Sequence, residues 1–240
     1  ELKCVKDRNS FYWSRVKVLK IYNLKKNTIG YNIFINDITT QKDVEHANIQ
    51  IENLNKDIED TQREILFRLG AVAEARSKET GLHVKRVAKY SFLLAIYYGL
   101  PKEEAKIIKL ASPMHDIGKI ATPDSILNKK GKLTPEEFEI MKEHAKAGHD
   151  MLQGSDKPII NAASIIALHH HEKFDGSGYP YALKGENIHI YGRITAICDV
   201  FDALAHERPY KKAWELQRVF DLFKDQRAKH FDPVLIDLFF

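Results

Sequence analysis

Cysteine is nearly absent: the chain has two, Cys4 and Cys198, far apart and without C-x-x-C spacing. That excludes a disulfide scaffold and a thiolate zinc site, and leaves two reduced thiols. Long apolar runs are missing too. None approaches the roughly 18–20 residues needed to span a bilayer, and the longest candidate, SFLLAIYYGL, has the length of a core helix. Charge of one sign is scarce: the formal net charge is +4 over 240 residues. That is too little for a general binder of nucleic-acid polymers, although a local basic pocket for an anionic ligand is compatible with it. The chain opens on Glu1 with no charged-then-apolar leader. It reads as a cytoplasmic piece of a longer protein, with any membrane segment lying outside these residues. A chain of this length can bury a substantial core, as one large domain or two smaller ones.

What is present falls into three textures. Residues 1–43 contain β-branched and aromatic runs, FYWSRVKVLKIY and IGYNIFINDI, around a polar LKKNT turn. This predicts a β-hairpin, which needs a larger sheet for stability. The ending DITTQKDVE, residues 37–45, resembles the exit of a PAS sensor domain, so this part is expected to be a PAS-like C-terminal fragment. Residues 44–76 change period. Val44, Ile51, Ile58, Ile65 and Val72 recur every seven residues, with Ala47, Leu54 and Thr61 at the second heptad position. β-branched residues at a, with Leu at d, predict a parallel two-stranded coiled coil and a homodimer through residues 44–72. After about residue 64 the apolar spacing is helical almost throughout, with amphipathic stretches at 64–77, 80–99, 102–112, 134–152 and 157–171. The fold class expected is mainly α, a helical bundle preceded by a long helix and a short β-hairpin.

Polar residues then interrupt the apolar helix faces. Glu79 and His83 lie one helical turn apart, and His115 and Asp116 are adjacent in MHDIGKI, where Gly118 is expected to end a helix. His144 sits mid-helix, His170 and His171 close another helix, and Asp199 lies in RITAICDVFDAL. Any one of these is unremarkable. Five histidines and three carboxylates on apolar faces are costly to bury unless paired or metal-bound. Imidazoles bridged by carboxylates suit iron, manganese or zinc, and neither all-oxygen magnesium nor thiolate sites.

The strings ETGLHVKRV, HDIGKIATPDSILNKKGKLTPEEF, MKEHAKAGHDML, HHEKFDGSGYP, RITAICDVFDAL, RPYKKA and HFDP, in this order and spacing, resemble the HD-GYP family of HD-superfamily phosphohydrolases. The resemblance covers roughly residues 64–240, with residues 77–240 as the phosphohydrolase domain. It implies an all-helical domain that hydrolyses cyclic di-GMP with two or three divalent metal ions, iron or manganese foremost and zinc as a further option. Carried over, His115, Asp116, His144, His170, His171 and Asp199 are metal ligands, with Asp116 bridging and catalytic. Glu79 and His83 accompany them and provide for a third ion. Lys119 lies near the scissile phosphate, and Tyr179, Arg208 and Lys211 contact the nucleotide. Two metals about 3.5–4 Å apart can hold a bridging hydroxide and act as Lewis acids on the phosphate, which opens the ring to pGpG; a second round gives GMP. Fixed cations add charge stabilisation. A GGDEF-type or other signalling partner is a further expectation.

The triple histidine divides under helical geometry. His170 and His171 flank the stripe of Ala163 and Ala167, while His169 points away with Ile165 and Ile166 as a packing residue. Gly176 and Gly178 are read as turn formers and Pro180 as the exit of the loop. His46, His149, His189, His206 and His230 are read as non-ligands; His149 points about 140° away from His144, and the others lack acidic partners at suitable spacing. QRAKHFDP lacks the glycine often found before HFDP. Two other readings stay open: a hydrolase for another cyclic dinucleotide, and a non-catalytic nucleotide-binding module.

Overall fold

The polar turn between the two β-rich runs closes on its own side chains. In the computed structural model, which describes residues 2–7, 10–76, 81–207 and 212–240, the Asn23 carboxamide accepts the N–H groups of Lys25 and Asn27, both at 2.9 Å. Lys26 takes the left-handed conformation, φ 61°. This joins β2 (Ser10–Tyr22) and β3 (Thr28–Asp37) in an antiparallel register from Ser14↔Asp37 to Tyr22↔Thr28. The expected hairpin is therefore present, but it is part of a three-stranded meander. β1 itself, Leu2–Asp7, pairs antiparallel with the other edge of β2. Its mixed sequence LKCVKD carries no strand alternation to announce it; pairing with β2 decides its conformation.

At the exit of β3 the Asp37 carboxylate accepts the N–H and the hydroxyl of Thr39, and that hydroxyl oxygen accepts the Trp13 N–H at 2.8 Å. The strand end is thereby tied to the start of α1, Thr39–Arg76, which begins five residues before the first heptad residue, Val44. Its 38 residues contain no proline. The chain divides into two compact units, Glu1–Thr61 and Gln62–Phe240.

The second unit is helical, as expected. Its elements are the last part of α1, α2 (Gly81–Tyr98), α3 (Lys102–Ala111), a short α4 (Asp124–Leu127), α5 (Pro135–Leu152), α6 (Pro158–His169), α7 (Ile190–Ala205), α8 (Leu216–Asp225) and α9 (Pro233–Phe239). α5 starts where its sequence directs: Thr134 and Glu137 form a reciprocal capping box, with Pro135 in the first turn. One core cluster gathers Val87, Leu94, Ile108, Ile197, Phe223 and Leu235; a second gathers Leu66, Ala73, Met114, Ile117, Ala163 and Ile166. His83, His115, Asp116, His144 and His170 are buried among these apolar faces.

One local expectation fails. Gly118 does not end a helix: His115 and Asp116 lie between two 3-10 segments, Ser112–Met114 and Ile117–Ala121. Gly118 is needed for a different reason. A Cβ there would stand 1.9 Å from the His144 carbonyl oxygen and 2.4 Å from the Gly148 nitrogen, so only glycine lets this segment lie directly against α5. Gly118→Ala must move backbone rather than a flexible side chain. It is expected to cost about 2–3 kcal/mol and to lower the melting temperature by roughly 5–10 °C. A calorimetric melt within about a degree of the parent would contradict this packing.

Candidate metal centre

Four elements aim imidazoles at one place. His83 lies in the first turn of α2, His115 follows the first 3-10 segment, His144 is mid-α5, and His170 closes α6. Each of these four tethers its Nδ1. The His83 Nδ1 lies 2.7 Å from the Asp202 carboxylate, that of His115 2.8 Å from the Ser112 carbonyl, that of His144 2.7 Å from the Met141 carbonyl, and that of His170 3.0 Å from the Ala167 carbonyl. A histidine held at Nδ1 presents Nε2 in a fixed direction, the arrangement that positions metal-binding imidazoles.

The Nε2 atoms meet around Asp116, whose two oxygens face different neighbours. Oδ1 lies 3.2 Å from His144 Nε2 and 3.6 Å from His170 Nε2; Oδ2 lies 3.3 Å from His115 Nε2 and 2.5 Å from Lys119 Nζ. Two groups of ligand atoms result, each within 4.8 Å: Asp116, His144, His170 and His171, and beside them Glu74, His83 and His115. Asp199 Oδ1 lies 3.3 Å from His83 Nε2 and 3.8 Å from His115 Nε2. Among the described residues, the buried atoms His115 Nε2, His144 Nε2, His170 Nε2 and Asp116 Oδ1 find no hydrogen-bond partner. Leaving such atoms unsatisfied costs on the order of 1–3 kcal/mol each. Imidazole nitrogens and carboxylate oxygens converging in this way fit borderline divalent metals.

Electrostatics divide the site. Burial opposes charge on Asp116, yet Lys119 and His115 hold its carboxyl well below the usual range. Asp199 is likewise held low against its burial, chiefly by His83. Against the same desolvation, Asp199 and Asp202 raise His83 to about 10, and Asp116 raises His115 to about 9. Burial lowers His170, and lowers His171 well below its ordinary value, with the neighbouring imidazoles adding to the effect at His171. Burial, reinforced by Asp116, pushes the Glu74 carboxyl up to about 7.

The loop after α6 packs over this cluster. The Glu172 carboxylate accepts the N–H groups of Tyr181 at 2.7 Å and Leu183 at 3.0 Å, folding the chain back. Gly176 takes φ +88°, as a turn former should. Gly178 serves a close approach instead, since its Cβ would stand 2.2 Å from the Lys173 nitrogen. The Tyr179 ring then stacks on His171, centroids 4.7 Å apart and planes at 26°, and meets His144 edge-on. Lys119 is held from outside: the Arg76 guanidinium donates to the carbonyls of Lys119 (2.9 Å), Ile120 and Thr122 (3.1 Å) and to the Asp124 carboxylate.

His83, His115, Asp116, Lys119, His144, His170, His171, Tyr179 and Asp199 thus come together. Glu79, Arg208 and Lys211 lie outside the described residues. His169 turns away, its Nδ1 accepting the His189 N–H. His149 pairs with Ser164 at 2.8 Å, and His230 stacks on Phe231. His206 corrects the reading that it lacks an acidic neighbour: Asp202, one turn earlier, lies 3.1 Å from its Nδ1. Glu74, Arg76, Glu172 and Asp202 have structural parts that the sequence reading did not assign. For Glu74 the signal was a lone carboxylate in the apolar run LGAVAEA; for Asp202 it was the second carboxylate of CDVFDAL.

The chain is similar to known proteins over most of its length. The chain is 49% identical over 186 residues to the 3'3'-cGAMP-specific phosphodiesterase 2 of Vibrio cholerae, covering 78% of this chain and 36% of that one. It is 45% identical over 181 residues to the cyclic di-GMP phosphodiesterase response regulator RpfG of Xanthomonas campestris (75% and 48%). It is 42% identical over 188 residues to a cyclic di-GMP phosphodiesterase of Thermotoga maritima (78% and 51%). The chain therefore spans about a third to a half of the length of these relatives. In fold it is similar to a crystal structure of a cyclic GMP-AMP-specific phosphodiesterase of V. cholerae, with a TM-score of 0.55, 17% identity, and coverage of 74% of this chain and 47% of that one. The HD domain family model matches residues 69–235, and the chain belongs to that family.

Proposed function

We propose that the chain is the catalytic part of an HD-GYP-type, metal-dependent cyclic-dinucleotide phosphodiesterase that opens cyclic di-GMP to pGpG, with GMP from a second round. The observation that carries this reading is the buried Asp116 carboxylate with an oxygen turned to each of two ligand groups. Two or three ions, iron or manganese, would supply Lewis acidity at the phosphate and an activated water. The chain's residues do the rest. Lys119, fixed beside Asp116 and braced by Arg76, provides a positive charge for the phosphoryl oxygens. Tyr179, stacked on His171, walls the site and would contact the nucleotide, while Arg208 and Lys211 would grip the anionic ligand.

A second reading is favoured by one observation, the 49% identity to a protein named as 3'3'-cGAMP-specific. The purified chain, loaded anaerobically with iron or manganese, is expected to convert cyclic di-GMP to pGpG or GMP by chromatographic analysis. Asp116→Ala should lose both metal and turnover, and His149→Ala should keep both. Turnover of 3'3'-cGAMP alone would select the second reading, and no turnover at full metal occupancy would make the module a receptor.

Metal loading has a proton cost. His83 and His115 sit near 10 and 9 without metal, so both are protonated at neutral pH and must lose those protons to coordinate. Loading near pH 7 should release roughly one to two protons per chain, and apparent affinity should rise with pH towards about 9. Calorimetry in buffers of different ionisation enthalpy measures this, and an affinity that is flat with pH would count against these two ligands.

For the N-terminal part we propose a PAS-like fragment and a signalling coiled coil. The a-position residues Val44, Ile51, Ile58, Ile65 and Val72 are all more than half exposed, a continuous apolar stripe that a second copy would cover. Light scattering should give twice the monomer mass for the full chain and a monomer for a version starting near residue 64. A monomeric full chain would refute the pairing.

A further inference from the structure

We propose that Arg76 is a positioning residue for Lys119, holding the lysine's backbone from the last turn of α1 so that its ammonium group stays on the reacting phosphate. This deepens the phosphodiesterase reading above and rests on it. Arg76 closes α1, and its guanidinium is aimed at one short stretch of chain. One nitrogen donates to the carbonyls of Lys119, at 2.9 Å, and Ile120; the other donates to the Thr122 carbonyl at 3.1 Å and to the Asp124 carboxylate at 2.7 Å. A planar fork with several N–H donors can meet four acceptors in this way, whereas an ammonium carries its donors on a single atom. The Asp124 side chain is 76% exposed, so that ion pair contributes little by itself. The charge-assisted bonds to three successive carbonyl acceptors carry the hold.

The lysine's own segment is short. Lys119 lies in the 3-10 stretch Ile117–Ala121, where its N–H donates to the Asp116 carbonyl at 3.0 Å and its carbonyl accepts the Thr122 N–H at 3.1 Å. Turns of this kind have poorer hydrogen-bond geometry than an α-helix. Gly118 seats the segment against α5, which fixes where the backbone lies, and the Arg76 bonds fix the peptide planes that follow the lysine. The ammonium stands 2.5 Å from Asp116 Oδ2, so turning those planes would swing it away from the centre. The acceptors of Arg76 include none of the proposed metal ligands, so its effect reaches the centre through the lysine. α1 also meets the chain ahead of His115: a Cβ at Gly70 would stand 2.2 Å from the Pro113 carbonyl oxygen. The helix thus contacts the segment both before and after His115 and Asp116, and the placement of its last turns sets the placement of Lys119.

Steady-state turnover of cyclic di-GMP and 3'3'-cGAMP by the metal-loaded full chain tests this, with metal per chain measured by mass spectrometry. Arg76→Ala is expected to lower kcat roughly 10- to 100-fold, as an ångström-scale misplacement does. KM and metal content should stay close to those of the parent. Arg76→Lys, which keeps the charge and loses the fork, should recover only part of the rate. In a Lys119→Gln background, Arg76→Ala should cost less than about twofold, because the group it positions is gone. Equal losses in the two backgrounds, or a folded Arg76→Ala with the parent's kcat, would overturn the proposal. If Arg76→Ala fails to fold by circular dichroism, Arg76→Lys takes its place in the same comparison. Hydrogen exchange tests the hold without turnover: the amides of residues 119–122 should exchange faster in Arg76→Ala than in the parent, and unchanged exchange would overturn the hold alone. A parent with no turnover at full metal occupancy would overturn the phosphodiesterase reading, and the role in turnover with it.

Discussion

The second unit is organised around a single carboxylate. Asp116 is 6% exposed, and desolvating an ionised group among apolar helices is costly unless opposite charge or metal surrounds it. Lys119 and the imidazoles of His115, His144 and His170 do so, two at each carboxylate oxygen. These groups come from the 112–121 segment, α5 and α6. None can shift without exposing the aspartate to an unfavourable neighbour. The Nδ1 tethers serve the same end, since a ring free to rotate could not keep its Nε2 on the centre.

Rigidity around that carboxylate is achieved with small residues and backbone bonds. Gly118 lets the HDIGK segment touch α5, and Gly178 lets the loop of Tyr179 touch the chain after Glu172. Arg76 occupies the carbonyls of Lys119 and Thr122, which an incomplete 3-10 turn would otherwise leave to water. In the proposed reaction the lysine would act as a fixed charge, which is worth more to a developing phosphoryl anion than a mobile one. The helix that supplies Arg76 also carries the exposed residues Ile65 and Val72, so the support of the 112–121 segment and the heptad stripe belong to one element.

Much of this was legible before any coordinates. Period-seven spacing marked the long helix, the amphipathic stretch at 134–152 marked α5, and histidines on apolar faces marked the centre. Helical geometry alone separated His169 from His170. Other features were not legible. β1 takes its conformation from β2, and no local pattern in LKCVKD demands it. Gly118 looked like a helix terminator because glycine reads that way locally; its contact is with α5, some thirty residues along the chain.

The sequence by itself determined which side chains had to be buried together, because burying that many imidazoles and carboxylates is tolerable only in one shared, mutually neutralising site. Only the tertiary structure decided how they share it. Which oxygen of Asp116 faces which histidine, that Asp202 orients His83, and that Glu74 arrives from a helix read at first only for its heptads are all questions of distance between separate elements. Those distances are set by how closely backbones approach at glycine contacts, and helical periodicity carries no information about them.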